Sequence, residues 1–155
     1  MINLGRFTGS ELKNYRLQPM LLDWVLMGIA FLLLIVFWGV ALLHLQEFNT
    51  SDNISMGIGV TVVTILLLGS SFISARWFNF PVRITEQNIR IQYLLATRLM
   101  RIVAIFINMT FLSLLLKNLE ILKGAAATVV TDVVMVLLFV PLLIYFVLAF
   151  MRRGG

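Results

Sequence analysis

Trp24-Val25-Leu26-Met27-Gly28-Ile29-Ala30-Phe31-Leu32-Leu33-Leu34-Ile35-Val36-Phe37-Trp38-Gly39-Val40-Ala41-Leu42-Leu43 is the stretch that decides the fold. It runs twenty residues without a charge, and thirteen of them are Leu, Ile, Val or Phe. At about 1.5 Å rise per residue, about twenty helical residues cross the roughly 30 Å hydrocarbon core of a bilayer. Those thirteen side chains favour insertion by about 4–8 kcal/mol, at about 0.3–0.6 kcal/mol each. Asp23 lies just outside the run, where a first-turn acid suits the helix dipole, and Pro19 precedes it, as at a helix entrance.

The rest of the chain has the same character. Of 155 residues, 61% are hydrophobic and 12% charged, and mean hydropathy is +1.01. A soluble domain is about half apolar and about a quarter charged, so a water-soluble enzyme fold is excluded, as are disordered, collagen-like and coiled-coil classes. The fold class is therefore all-α: a polytopic membrane protein of four helices whose main partner is the lipid bilayer. There is no cysteine, which removes disulfides, thiolate chemistry and Cys-based metal sites. Residues 1–18 are polar and do not read as a cleavable signal peptide.

The expected layout is a tail at 1–19, spans at 20–45, 54–77, 102–122 and 125–151, an outer loop at 46–53, a basic segment at 78–101 and a tail at 152–155. The second span is less greasy. Gly57, Thr61, Thr64, Ser71 and Ala75 fall on one of its faces, and small faces let helix backbones approach closely in lipid. Gly28 and Gly39, eleven apart on span one, offer a matching groove. Pro81 ends the preceding structure. Thr85 and Glu86 read as a helix start, after which no Pro or Gly interrupts the chain before Leu122. One long helix is expected there. Its first part is amphipathic, with Arg83, Arg90, Arg98 and Arg101 within about one quadrant at about 100° per residue. Gly124 is the expected C-terminal stop, and Pro141 should kink the fourth span.

Orientation follows from counting. Ten Lys and Arg lie on one side: Arg6, Lys13, Arg16, Arg76, Arg83, Arg90, Arg98, Arg101, Arg152 and Arg153. Only Lys117 and Lys123 lie on the other. By the positive-inside rule both termini and the 78–101 segment face the cytoplasm. The net charge of +5 thus reads as topology and headgroup attraction rather than nucleic-acid binding.

Polar residues at membrane depth are few. Asn108 is expected to make an interhelical hydrogen bond worth about 0.6–2 kcal/mol. Lys117 and Asp132 lie at similar depth on either side of Gly124, which predicts an ion pair if their faces meet. Such a pair would be a proton or ion site, or a structural contact near the outer interface; alternatively the two charges reach water separately. His44 and Glu47 make a weak metal candidate against an interfacial histidine. No HExxH, GxSxG, P-loop or CxxC occurs, and the seven acids are scattered. The expected function is non-catalytic, without cofactor, metal or small-molecule substrate. The basic stripe serves either topology or docking of a partner.

The run Phe78-Asn79-Phe80-Pro81-Val82-Arg83-Ile84-Thr85-Glu86-Gln87-Asn88, continuing through Gln92-Tyr93-Leu94-Leu95-Ala96-Thr97-Arg98-Leu99-Met100-Arg101, resembles the segment before the third span of SdpI-like bacterial membrane proteins. There an aromatic-Asn-aromatic-Pro-Val turn leads into Ile-Thr, an acidic/Asn pair, Gln-Tyr and a Leu-Ala-x-Arg helix. The resemblance implies a multi-span protein of the bacterial cytoplasmic membrane. It also implies a role in immunity to a secreted toxic peptide, or in signalling by holding a repressor at the membrane. The family's outer Pro-x-His-Phe-Asn-x-x-Gly-type motif is reduced here to fragments in His44-Leu45-Gln46-Glu47-Phe48-Asn49-Thr50-Ser51-Asp52. Two alternatives stand beside that role: an accessory or assembly subunit of a larger membrane complex, or a carrier for protons or ions; the expected partner is another membrane protein or a second copy in a homo-oligomer.

Overall fold

The computed structural model describes residues 11–152; Arg6, Arg153 and the rest of both chain ends lie outside the described residues, as does the side chain of Lys13. Six α-helices follow in order: α1 Leu21–Leu43, α2 Leu45–Phe48, α3 Ser51–Ser70, α4 Ile89–Asn118, α5 Gly124–Leu137 and α6 Phe139–Met151. α1, α3, α4 and the α5–α6 pair are each long and apolar enough to cross a membrane, so the chain is an all-α polytopic membrane protein.

α4 is the central post. α1 and α3 pack on one flank of it, and α5 and α6 on another. α1 buries Met27, Ala30, Leu34, Phe37 and Ala41, a 3-4-3-4 spacing that forms one stripe. Three apolar layers stack along the bundle. Phe37, Phe48, Val60 and Leu115 fill one end. Ala30, Leu68 and Ala104 fill the middle. Phe80, Ile84, Tyr93, Tyr145 and Ala149 fill the other end. Lipid is as apolar as leucine, so these layers hold by close packing and by hydrogen bonds rather than by escape from water.

Several boundaries differ from those expected. α3 begins at Ser51, three residues early, because the Thr50 hydroxyl caps it by accepting the Asn53 N–H at 3.3 Å. It ends at Ser70 rather than 77. There the Ser70 and Ser71 hydroxyls donate to the Leu67 and Leu68 carbonyls, offering the backbone an exit from the helix. α4 begins at Ile89, not Glu86. Thr85 and Asn88 instead lock a turn by reciprocal bonds: the Thr85 N–H donates to Asn88 Oδ1 at 2.9 Å, and the Asn88 N–H to Thr85 Oγ1 at 3.3 Å. Arg83 therefore stands before the helix rather than on its stripe. α4 ends at Asn118, where Glu120 takes the left-handed turn (φ 53°), while Gly124 opens α5 instead of closing α4.

The kink expected at Pro141 falls at Leu138, between α5 and α6. Proline has no N–H for the carbonyl four residues back, which is Leu137, the last residue of α5.

Candidate functional site

The densest polar chemistry sits where α1 and α4 begin to run side by side. Asp23 is on the first turn of α1 and is almost wholly buried. One carboxylate oxygen, Oδ2, accepts the Met20 N–H at 2.8 Å and so finishes the helix start. The other, Oδ1, accepts Nε of Arg98 at 3.2 Å and Nη1 of Arg101 at 3.1 Å. The two arginines are three apart on α4 and thus share a face. Arg101 has 2% of its side chain exposed, Arg98 27%. Nε of Arg101 is buried without a partner. Two guanidinium groups share one carboxylate, so the cluster carries one surplus positive charge.

Arg98 and Arg101, read as part of an exposed basic face, are therefore internal bonds: Arg101 wholly, Arg98 for most of its length. Arg83 and Arg90 remain exposed. They stand on a fixed base. Phe80, Val82 and Ile84 are buried beneath the 78–88 elbow, and Asn88 Nδ2 donates to the Arg83 carbonyl at 3.0 Å. Tyr93 Oη donates to the Ile73 carbonyl at 2.7 Å, and its ring meets Tyr15 edge-on. Gln92 Nε2 donates to the Ala149 carbonyl at 2.9 Å, tying α4 to α6.

Two further polar ties lie along α4. Asn108 Nδ2 donates at 2.8 Å to both Thr64 Oγ1 and the Ala104 carbonyl, inside a fully buried pocket between α3 and α4. Asn118 Nδ2 donates to Asn53 Oδ1 at 3.0 Å at the far end. The small face of α3 turns inward. Gly57 and Thr64 are buried, while Thr61 is half-buried and accepts Nε1 of Trp38 at 3.0 Å; Ser71 and Ala75, expected on the same helical face, are buried too but lie past the end of α3. A Cβ built on Gly57 would stand 3.0 Å from the Trp38 ring and 3.2 Å from Phe48. Gly28 and Gly39 form no groove: both are exposed, with no neighbour within 4 Å of such a Cβ. The stripe of α1 that packs passes through Met27 and Phe37; at about 100° per residue Gly28 sits about 100° from Met27 and Gly39 about 160° from Phe37, so both face away from it.

Lys117 and Asp132 do not pair. Both are exposed, and neither has an ion-pair partner among the described residues. Their helix faces do not meet. His44 Nδ1 and Glu47 Oε2 lie 3.0 Å apart on the exposed turn between α1 and α3. Among the described residues no three His, Asp or Glu side chains gather. Asp23 was missed as a site residue. The signal was present: it lies at a span boundary on the side that carries ten cations, at the depth of Arg98 and Arg101. No known family model, curated protein or solved structure matches this chain.

Proposed function

We propose that this is a non-catalytic protein of the bacterial cytoplasmic membrane that acts by contact, with both termini and the 78–101 segment on the cytoplasmic side. Its working face is the basic platform around Arg83 and Arg90. The observation that carries the reading is the platform's construction. Arg83 rides on an elbow whose Phe80, Val82 and Ile84 are buried and whose Asn88 bonds the Arg83 carbonyl, and Arg90 follows on the first turn of α4. With the backbone beneath them fixed, only side-chain freedom is lost when an acidic partner docks, so more of the attraction survives as affinity. The resemblance of residues 78–101 to SdpI-like proteins supports an immunity or signalling role for that contact.

A photoreactive residue at Arg90 in native membranes tests it. Adducts to one protein, lost in Arg83→Glu, support the reading; adducts to lipid alone overturn it.

A second reading, an accessory subunit or a homo-oligomer, is favoured by one observation. Asp132 is exposed on α5, with Thr128 one turn away on the same face. It lies eight residues, or about 12 Å, into the span. A carboxylate facing lipid is costly and invites a partner helix. Stoichiometric co-purification with larger subunits supports this reading, and a single small particle counts against it.

A further inference from the structure

We propose that the cleft between α4 and the kinked α5–α6 pair is a binding site for one acyl chain of an anionic phospholipid, with Arg98 holding its phosphate. This site is separate from the platform at Arg83 and Arg90, and the proposal does not rest on the reading given to that platform.

The cleft has a volume of about 380 Å³ and is open along one side. Leu95, Leu99, Ile102 and Phe106 form its α4 wall, while Pro141 and Ile144 contribute to the other. Arg98 is the one charged residue among those that line it. The kink makes the space: Leu137 and Pro141, the carbonyl left without a donor and the residue that cannot donate, both line the cleft.

Its dimensions fit a lipid chain. Residues 95–106 on α4 span eleven steps, or about 16 Å. Half of a hydrocarbon core of roughly 30 Å is about 15 Å, so the cleft is as long as one leaflet is deep. Its lining is apolar apart from Arg98, as a hydrocarbon chain lying along it requires.

The charge selects the headgroup. Arg98 lies near the end of the cleft by the α4 N-terminus, level with the start of α1 where Asp23 meets it. Its Nε is taken by Asp23, and Nη2 touches only the Met20 sulfur, at 3.6 Å. A guanidinium has five N–H donors, so most of them remain for phosphate oxygens. The surplus charge of the Asp23–Arg98–Arg101 cluster is the one an anionic headgroup would neutralise. A neutral lipid would fill the same cleft without doing so.

The test uses the full chain in phosphatidylcholine vesicles. These carry a small fraction of phosphatidylglycerol or phosphatidylcholine with a photoreactive group on the acyl chain, and adducts are mapped by mass spectrometry. The phosphatidylglycerol probe should label residues 95–106 and 137–148 about fivefold more than the phosphatidylcholine probe does. Ile144→Trp, which fills the cleft from an exposed position, should reduce labelling by both probes. Arg98→Gln should erase the preference between headgroups, and Arg98→Lys should retain much of it. Equal labelling by the two probes overturns the proposal, as does labelling of the exposed α1 face to the same extent. So does a crosslink between two chains through the cleft. If Arg98→Gln fails to fold, the headgroup comparison and Ile144→Trp still decide the matter.

Discussion

Neutralising Asp23, on the first turn of α1, should cost more stability than changing either arginine that it holds on α4. Asp23→Asn removes the charge that two arginines share at 3.1 and 3.2 Å. Arg101 is then left 2% exposed, with its Nε already unpaired. Breaking a buried pair from one side costs about 3–5 kcal/mol, because the remaining charge stays out of water. Arg101→Gln strands less, since Asp23 keeps Arg98 and the Met20 N–H; a cost of about 2–3 kcal/mol is expected. Arg98→Gln is the mildest. Its side chain is 27% exposed, and Asp23 keeps Arg101, so about 1 kcal/mol is expected. The double variant Asp23→Leu/Arg101→Leu should recover to within about 1–2 kcal/mol of wild type, because two apolar side chains of fitting size replace the pair and Arg98 reaches water along its stem. The assay is equilibrium unfolding in mixed micelles with rising sodium dodecyl sulfate, followed by tryptophan fluorescence; Trp24 adjoins the cluster. If Asp23→Asn lies within about 1 kcal/mol of wild type, or the double variant is worse than both singles, the cluster is hydrated and the reasoning from burial is wrong.

Three further outcomes can be checked by the same unfolding measurement. Asn108→Leu should cost about 0.6–2 kcal/mol, and Thr64→Val added to it should cost little more, because the two share one bond; full additivity would show that they act separately. Gly57→Ala should destabilise by about 1–3 kcal/mol by pressing on Trp38 and Phe48, two rings packed against each other 5.9 Å apart, whereas Gly28→Ala should be neutral or slightly stabilising; the reverse order would relocate the α1–α3 contact. Asp132→Leu should leave the isolated protein at least as stable as wild type, because it removes a charge that costs about 2.5–3.5 kcal/mol at a span centre; a loss of stability would mean that Asp132 has a partner within its own chain.

The spans were legible because hydrocarbon thickness sets a length that sequence alone can meet. Their ends were not. Ser70, Ser71, Thr85 and Asn88 decide where α3 stops and α4 starts through side-chain bonds to the backbone, and such bonds compete with the helix only within a particular local geometry. The inward face of α3 could be read from Gly57, Thr61 and Thr64. The face of α1 could not be read from its glycines, since an exposed glycine costs little in lipid and says nothing about packing. The 3-4-3-4 stripe from Met27 to Ala41 was the better guide, but in a run that is apolar all round nothing marks it out until a partner helix is present.

The arginines show why periodicity alone misplaced part of the site. Arg90 and Arg101 are eleven residues apart, so on an ideal helix they differ by only about 20° and occupy one face. Yet Arg90 is exposed and Arg101 is buried. What separates them is depth. Eleven residues of helix are about 16 Å, and α1 reaches along α4 only as far as its own first turn, where Asp23 sits. Beside Arg101 that face is covered by α1; beside Arg90 the helix α1 has not yet begun. A helical wheel projects this difference away. Depth matching, the logic that proposed Lys117 with Asp132, pairs Asp23 with Arg98 and Arg101 when applied to the other end of the bundle. It succeeds there because the two arginines, three apart, sweep enough of the α4 surface for both to reach one carboxylate. Lys117 and Asp132 are single residues on helices that turn them outward, and equal depth cannot bring them together.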